Sequence, residues 1–384
     1  DDADRIAFDR PPEAYRHAVA LADDAKRRAP SYLVPVAVRA QARLALAHRF
    51  VGETSDVPLA ELDLSSLANV DARTAYERDK GRALDALASG RPLEAVDLLE
   101  KVEVSGGQKD AARAVFLGWA LLRARRVDAA EQALTIAAAL DPASDAAAYG
   151  LGLARLAHGK IADAHADFEK IVRRSPAHLS ATVELGELAW KAGDAAKARQ
   201  RLDPVLKKGA PTEKARAEAI LGEMARVAGN LNEARKRFED ALGLDAKNVG
   251  ALTGLGVMLH EAGKPTDAIA KCRVAKTLEP LYTGAALCLV RASLTLGKFL
   301  DARIEAEEIL KRNPKEAEAL FLLGRVAESL DQPDQAIARY QRAIEAKADY
   351  FDPYSRLAQL YIEEKKPEEA MGALVQAQGA VGDT

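Results

Sequence analysis

The chain has 384 residues, of which 48% are hydrophobic, so it is long enough to bury a large core. Its 55 basic and 58 acidic residues nearly cancel to a formal net charge of −3, which argues against a nucleic-acid partner, since that would need a clustered basic surface. No run of 18 apolar residues occurs, so no direct membrane insertion is expected. Because the chain begins at Asp1 without a charged and apolar leader, we expect a mature form or an excised fragment.

Residues 1–70 predict an irregular helical segment that does not follow the repeat described below. Pro11 and Pro12 favour a helix start, so a helix is predicted from Glu13 to Ala29 and a second one from Leu33 to Phe50, after Pro30. The two are consistent with the second helix of a degenerate unit and the first helix of the next. Residues 51–70 predict a long connection with at most a short helical turn near 59–67.

A 34-residue period organises residues 71–384, which we predict to form one helical-repeat domain. It begins with a divergent helix pair over 71–89 and 92–102. Leu-Gly pairs then recur, an Ala follows each Gly after twelve residues, and a bulky or apolar residue follows that Ala after four. The Leu-Gly pairs are Leu117-Gly118, Leu151-Gly152, Leu185-Gly186, Leu221-Gly222, Leu255-Gly256 and Leu323-Gly324. The Ala positions are 130, 164, 198, 234, 268 and 336, and the bulky or apolar residues are Leu134, Phe168, Leu202, Phe238, Cys272 and Tyr340.

Eight clear units follow the divergent one, and each is expected to contain two helices. They begin near Ala111, Asp145, Leu179, Ala215, Val249, Thr283, Ala317 and Phe351. Gly159, Gly193, Gly229, Gly263, Gly297 and Asp331 separate the two helices of their units, and Gly at such a position can end a helix in the left-handed conformation. The unit that begins at Leu179 is two residues longer than the others, with the excess near 207–211.

The Leu-Gly, Ala and Phe positions, together with the closing prolines Pro142, Pro176, Pro280 and Pro314, resemble the tetratricopeptide repeat (TPR) family. This resemblance implies an all-α fold, a right-handed α-solenoid of helix-turn-helix repeats. It also implies that the first helix of each repeat lines an inner groove and that the chain binds another protein. The Ala-rich and Arg-rich composition is typical of a bacterial protein.

The sequence offers no pattern typical of an enzyme, so we expect no catalytic residues, no metal site and no cofactor. The six His residues lack the paired spacing that a helical zinc site needs. Gly-Lys pairs at 159–160, 263–264 and 297–298 lie at turns between helices, and no Ser or Thr follows them as in a phosphate-binding loop.

Candidate partner-binding residues follow from helical spacing, because positions three before, one after and four after the motif Gly share one face of the first helix. We predict that this face binds the partner through Val115, Trp119, Leu122, Tyr149, Leu153, Leu156, Trp190, Arg226, Arg291 and Arg325. Exposed Trp and Tyr residues are typical interface anchors. The alternative is that these aromatic residues only fill space between neighbouring helices.

The expected function is a protein-protein interaction scaffold or adaptor that binds a partner helix or peptide in the groove. Bacterial TPR proteins commonly serve envelope, secretion or motility assemblies, and the resemblance implies such a complex here. The alternative is a regulatory or targeting arm of a larger protein whose catalytic domain lies outside this segment. RNA binding by a related helical repeat with a 35-residue unit is a third hypothesis, which the 34-residue spacing and the balanced charge disfavour.

The two cysteines bear on the compartment. Cys272 and Cys288 each lie eight residues from Pro280, on either side of a predicted turn, so they would lie at matching heights on antiparallel helices. They predict either a disulfide or two buried thiols that act as small apolar residues. A cytoplasmic location is expected if the thiols are free, and a periplasmic one if they are bonded.

Overall fold

A computed structural model describes residues 12–49, 56–101, 110–280 and 282–381. Within these ranges the chain forms 21 α-helices and no β-strand, which confirms the all-α prediction. The helices are α1 (Pro12–Arg28), α2 (Val34–Arg49), α3 (Asp56–Ser65), α4 (Ala72–Ala88), α5 (Pro92–Lys101), α6 (Ala111–Arg123), α7 (Val127–Leu140), α8 (Asp145–Ala157), α9 (Ile161–Arg174), α10 (Leu179–Lys191), α11 (Ala195–Lys208), α12 (Pro211–Val227), α13 (Leu231–Leu244), α14 (Val249–Glu261), α15 (Pro265–Leu278), α16 (Thr283–Thr295), α17 (Phe299–Arg312), α18 (Ala317–Ser329), α19 (Pro333–Ala346), α20 (Phe351–Glu363) and α21 (Pro367–Val381). None of these described helices is long and apolar enough to cross a membrane.

The chain divides into two compact units, Asp1–Ala217 and Glu218–Thr384, and each has its own hydrophobic core. We refer to them as unit 1 and unit 2. Unit 1 begins with three helices that precede the repeats, and unit 2 contains the later repeats from the second half of α12 onward.

The helix α3 lies in the stretch 51–70, for which the sequence predicted a long connection with at most a short helical turn near 59–67. It is ten residues long, and the part of that stretch before residue 56 lies outside the described residues. The helix is held by Asp63, whose buried carboxylate accepts hydrogen bonds from Arg39 Nε (2.9 Å) and Arg43 Nη1 (2.7 Å) on α2. Because these partners lie 20 or more residues away in sequence, the local pattern does not reveal them.

The repeats are regular helix pairs. After the divergent pair α4–α5 and before the last helix, α21, which has 15 residues, the first helix of each repeat has 13 residues and the second has 14, as in α6 and α7. The pair α12–α13 is the exception, since α12 has 17 residues and only residues 209–210 separate it from α11. Compared with the other repeats, α12 is four residues longer and the loop before it is two residues shorter. The net gain of two residues accounts for the longer spacing that the sequence shows at this point.

The turn inside each repeat requires a backbone conformation that favours Gly. The second residue after the first helix has a positive φ, from 69° to 83° at Gly159, Gly193, Gly229, Gly263 and Gly297. Asp331 takes the same position with a φ of 57°, so the predicted turns are confirmed. The first helix of the following repeat is often capped by a side chain, as at Ser144 and Asn248, which accept hydrogen bonds from the backbone three residues later.

The core of each repeat depends on one close approach between its two helices. The Ala that lies twelve residues after the motif position is fully buried in every clear repeat up to Ala336. The bulky residue four positions later lies directly against the motif Gly. A Cβ atom added at Gly222 would lie 2.8 Å from Cε1 of Phe238, and one added at Gly152 would lie 2.6 Å from the same atom of Phe168.

We therefore expect Gly222→Ala to lower the free energy of unfolding by about 1–3 kcal/mol, as over-packing of a filled core does. Phe238 cannot move away, because its ring also contacts Gly254 of the following repeat. Urea unfolding followed by circular dichroism measures the change. Gly243→Ala is the matched control, since nothing lies within 4 Å of its added Cβ and the helix α13 should gain up to about 1 kcal/mol from Ala. Equal stability of the two variants would contradict this packing.

Candidate functional site

Unit 1 places the predicted apolar residues on three successive first helices, α6, α8 and α10. We call the exposed side of the first helices the first-helix face. Val115 and Tyr149 are buried, with exposed fractions of 4% and 7%. The Tyr149 ring lies between those of Trp119 and Phe168, with ring centroids 5.9 and 5.6 Å away. Burial favours the packing interpretation for Val115 and Tyr149, which support the face from below.

The remaining apolar candidates of unit 1 are partly exposed. Trp119 and Trp190 are half-buried, as are the leucines of the predicted floor, Leu122, Leu153 and Leu156. Trp119 contacts the buried cluster around Tyr149, so its indole is held while part of its surface meets solvent. These five side chains form the part of the predicted set in unit 1 that a partner can contact.

A charged network, which the sequence pattern did not reveal, borders this apolar surface. Tyr149 donates a hydrogen bond from its hydroxyl to Glu184 Oε1 over 2.8 Å, and Arg216 Nη2 contacts the same carboxylate oxygen at 2.9 Å. Arg216 also lies 3.7 Å from Glu187, which pairs with Lys191 at 2.8 Å.

The charges of this network stabilise one another. Burial lowers the pKa of Arg216, but Glu184, Tyr149 and Glu187 together raise it by more, so the pKa lies well above its ordinary value. Burial raises the pKa of Glu187, but Lys191 and Arg216 lower it by more, so the pKa of this carboxyl lies below its ordinary value. The sequence did contain one signal for Glu184. It lies sixteen residues after the bulky residue Phe168, and at the same interval Leu134 and Phe238 are followed by glycines, Gly150 and Gly254. An acidic residue at a position that is small in those two repeats indicates a specific partner.

Unit 2 contains a cavity of about 620 Å³ on its first-helix face. Two of the three predicted arginines, Arg291 and Arg325, line it, and Arg226 does not. The lining residues are His260, Arg291, Leu294, Thr295, Glu316, Ala317, Glu318, Phe321, Leu322, Arg325, Ser329, Lys347, Tyr350 and Asp352. The cavity therefore combines an apolar wall with charges of both signs.

The three arginines of unit 2 differ in their intramolecular partners. Arg226 donates to Glu223 and to Glu261, at 2.9 and 2.5 Å. Arg291 donates to Glu318. Burial and the charge of Arg226 lower the pKa of Arg291 by more than Tyr350 and the nearby acids raise it. Among the described residues, the guanidinium of Arg325 has only a longer contact with an acid, with Nε 3.9 Å from Glu328 Oε2.

Comparison with known proteins identifies the repeats. The family model described as "Tetratricopeptide repeat" matches residues 80–145, 117–178, 149–213, 183–235, 221–283 and 289–351, and a second model of the same description matches 327–383. The chain belongs to the tetratricopeptide repeat family. The resemblance found in the sequence is thereby confirmed, and the fold is a TPR α-solenoid. No curated protein matches the TPR chain in sequence.

Two solved structures with TM-scores above 0.5 share the fold at low sequence identity. A human IFIT1 dimer with m7Gppp-AAAA is 18% identical and has a TM-score of 0.53, over 92% of this chain and 91% of that one. The APC/C hetero-tetramer Cut9-Hcn1 is 15% identical with a TM-score of 0.53, over 96% and 84% of the two chains. MamA is 24% identical over 41% of this chain and 93% of that one, with a TM-score of 0.34.

The two cysteines of this TPR chain are joined by a disulfide between consecutive repeats. Cys272 on α15 and Cys288 on α16 are both buried, with their Cα atoms 6.2 Å apart. Cys272 occupies the position of the bulky residue in its repeat, and both sulfur atoms lie close to where a Cβ of Gly256 would be. Of the two alternatives that the sequence left open, the structure contains the disulfide.

We expect the double variant Cys272→Ala with Cys288→Ala to lose about 3 kcal/mol of unfolding free energy, since the bond closes a loop of roughly 15 residues in the unfolded chain. Denaturant unfolding of the wild type with and without dithiothreitol measures the same difference, and the double variant, which has no thiols, is the control that should not respond. Alkylation after non-reducing denaturation should modify no cysteine. Two alkylated thiols would contradict the disulfide.

Proposed function

We propose that this TPR protein is a scaffold or adaptor that binds a protein partner on its first-helix face. Membership in the TPR family supports a protein-interaction role in general. The observation that carries the proposal for this chain is the pair of half-buried tryptophans, Trp119 and Trp190, on the same face as the leucine floor of unit 1. Large aromatic residues bury about 150–250 Å² each and lose little rotamer entropy when they bind a partner.

The proposed guest on unit 1 is an amphipathic helix or an extended segment that packs its apolar side on Leu122, Leu153 and Leu156. The network of Tyr149, Glu184 and Arg216 supports this proposal, because it holds the helices under the surface before any partner arrives. A preorganised surface loses less entropy on binding. In unit 2, we propose that the arginine-bearing first-helix face contacts acidic residues of a protein partner.

Within the same proposal, the protein serves a bacterial envelope, secretion or motility assembly and has no catalytic activity or cofactor of its own. A regulatory or targeting arm of a larger enzyme stays the alternative. The disulfide supports an oxidising compartment such as the periplasm rather than the cytoplasm. We propose a protein rather than a nucleic-acid partner, although the IFIT1 structure is one with m7Gppp-AAAA, because basic and acidic residues are balanced in this chain.

We expect Trp119→Ala and Trp190→Ala each to weaken binding of the partner by about 2 kcal/mol or more, as interface anchors do. The partner is first captured from the protein's own organism with this chain as bait, and its affinity for each variant is then measured by calorimetry. The far-ultraviolet circular dichroism and the melting temperature should change little, because the Gly, Ala and bulky positions that hold the repeats are untouched.

The matched control is Ile136→Ala, which removes an exposed apolar side chain from α7, a second helix of the same unit. It should leave the affinity unchanged. If Ile136→Ala weakens binding while both tryptophan variants bind normally, the partner uses another surface. If both tryptophan variants unfold, Trp119 and Trp190 are core residues and the proposed site is wrong.

A further inference from the structure

The arginines of unit 2 that the sequence groups together have different roles. Arg226 and Arg291 already donate to carboxylates of their own chain, Glu223 and Glu261 for the first and Glu318 for the second. These two guanidinium groups hold first helices in place. Arg325 is different, and its side chain is 38% exposed.

The nearest acid to Arg325 is occupied by other donors. Glu328 accepts a hydrogen bond from the Tyr340 hydroxyl, and Arg356 Nη1 lies 3.4 Å from its other oxygen. Arg325 Nε is 3.9 Å from this carboxylate, beyond hydrogen-bonding distance. Its guanidinium therefore retains donors that can bind an anion, and a planar guanidinium matches a carboxylate in two-point geometry.

Two acids of the cavity lie on the same helix as Arg325 but about two turns before it. Glu316 lies at the N-cap of α18 and Glu318 lies in its first turn. Negative side chains are stabilised at helix starts by the helix dipole. Arg325 is the ninth residue of α18, about 12 Å along the axis from the first residue at 1.5 Å per residue. Along α18 the cavity thus has acids at the helix start and, two turns further along, the cation Arg325.

An apolar wall lies between these two levels. Phe321 and Leu322 of α18 are mostly buried, and Leu294 of α16 is half-buried beside them. The Tyr350 ring meets Phe321 edge-on with ring centroids 5.4 Å apart. An apolar side chain of a ligand can pack here while a neighbouring carboxylate reaches Arg325.

We propose that the unit 2 cavity binds a peptide segment in which one acidic side chain, bound by Arg325, lies next to an apolar or aromatic side chain that packs against Leu294, Phe321 and Tyr350. This inference rests on the proposed protein-binding function and adds the chemistry of the ligand. The charges of the lining favour a single carboxylate over a polyanion. The three cations Arg291, Arg325 and Lys347 are balanced by Glu316, Glu318 and Asp352, which would repel a chain of phosphates.

The test uses fluorescein-labelled 12-residue peptides, each with one Asp and one Phe separated by one to four positions, and twins in which Asn replaces Asp. Fluorescence anisotropy should show at least one Asp peptide that binds about tenfold more tightly than its Asn twin. Arg325→Ala should reduce the affinity for that Asp peptide to the level of the twin, and Arg325→Lys should restore part of it. The control Arg303→Ala removes an exposed arginine from the second helix α17 and should change nothing.

Equal binding of the Asp and Asn series, or an unchanged affinity in Arg325→Ala, would overturn this inference. A 12-nucleotide single-stranded RNA that binds more tightly than every peptide and loses affinity in Arg325→Ala would overturn it as well. If the melting temperature shows that Arg325→Ala does not fold, Arg325→Gln takes its place. The tryptophan variants of unit 1 should bind these short peptides normally. A negative result with the peptides would therefore overturn the unit 2 inference without contradicting the proposed binding function of unit 1.

Discussion

The contact between a bulky residue on the second helix of a repeat and a Gly on its first helix determines how closely the two helices approach. At Gly186, an added Cβ would lie 2.8 Å from Leu202, and the same crowding recurs at Gly152 and Gly222. The bulky side chain also reaches the following repeat, since Phe238 contacts both Gly222 and Gly254. One residue therefore joins the two helices of its repeat to the next first helix, and successive first helices lie side by side as a consequence.

The disulfide lies at the position where, in other repeats, the bulky residue packs against the first helix of the following repeat. Leu134 meets Gly150 and Phe238 meets Gly254, sixteen residues later in each case, and Cys288 follows Cys272 at the same interval. A Cys at the bulky position fills less volume than Leu or Phe. The bond joins α15 and α16 covalently where packing alone holds the equivalent helices. Both sulfur atoms lie over Gly256 and are buried.

The sequence predicted the helical repeats well and the exposed chemistry less well. Seven of the eight predicted unit starts are first residues of helices, because a 34-residue spacing of small and large residues reports directly on helix crossings; the exception is α12, which begins at Pro211 rather than near Ala215. The helix α3 was predicted only as a short turn near 59–67, because the arginines that bind its Asp63 lie 20 or more residues away in sequence. Face positions show which way a side chain points but not how deeply it is buried, so Tyr149 and Trp119 looked alike in sequence. Similarly, spacing placed Arg226, Arg291 and Arg325 on one face but could not show which of them already had a carboxylate partner.

A structural repeat can bind a specific partner because its buried helix contacts are regular while the side chains on its first-helix face vary. The positions that hold the helices together are buried and uniform, whereas the first-helix face changes from tryptophan and leucine in unit 1 to arginine, glutamate and tyrosine in unit 2. Hydrogen-deuterium exchange of the protein with and without its captured partner tests this account most directly. We expect slower exchange on binding in α6, α8 and α10, with the second helices α7, α9 and α11 unchanged. Protection confined to the second helices would contradict a binding site on the first-helix face.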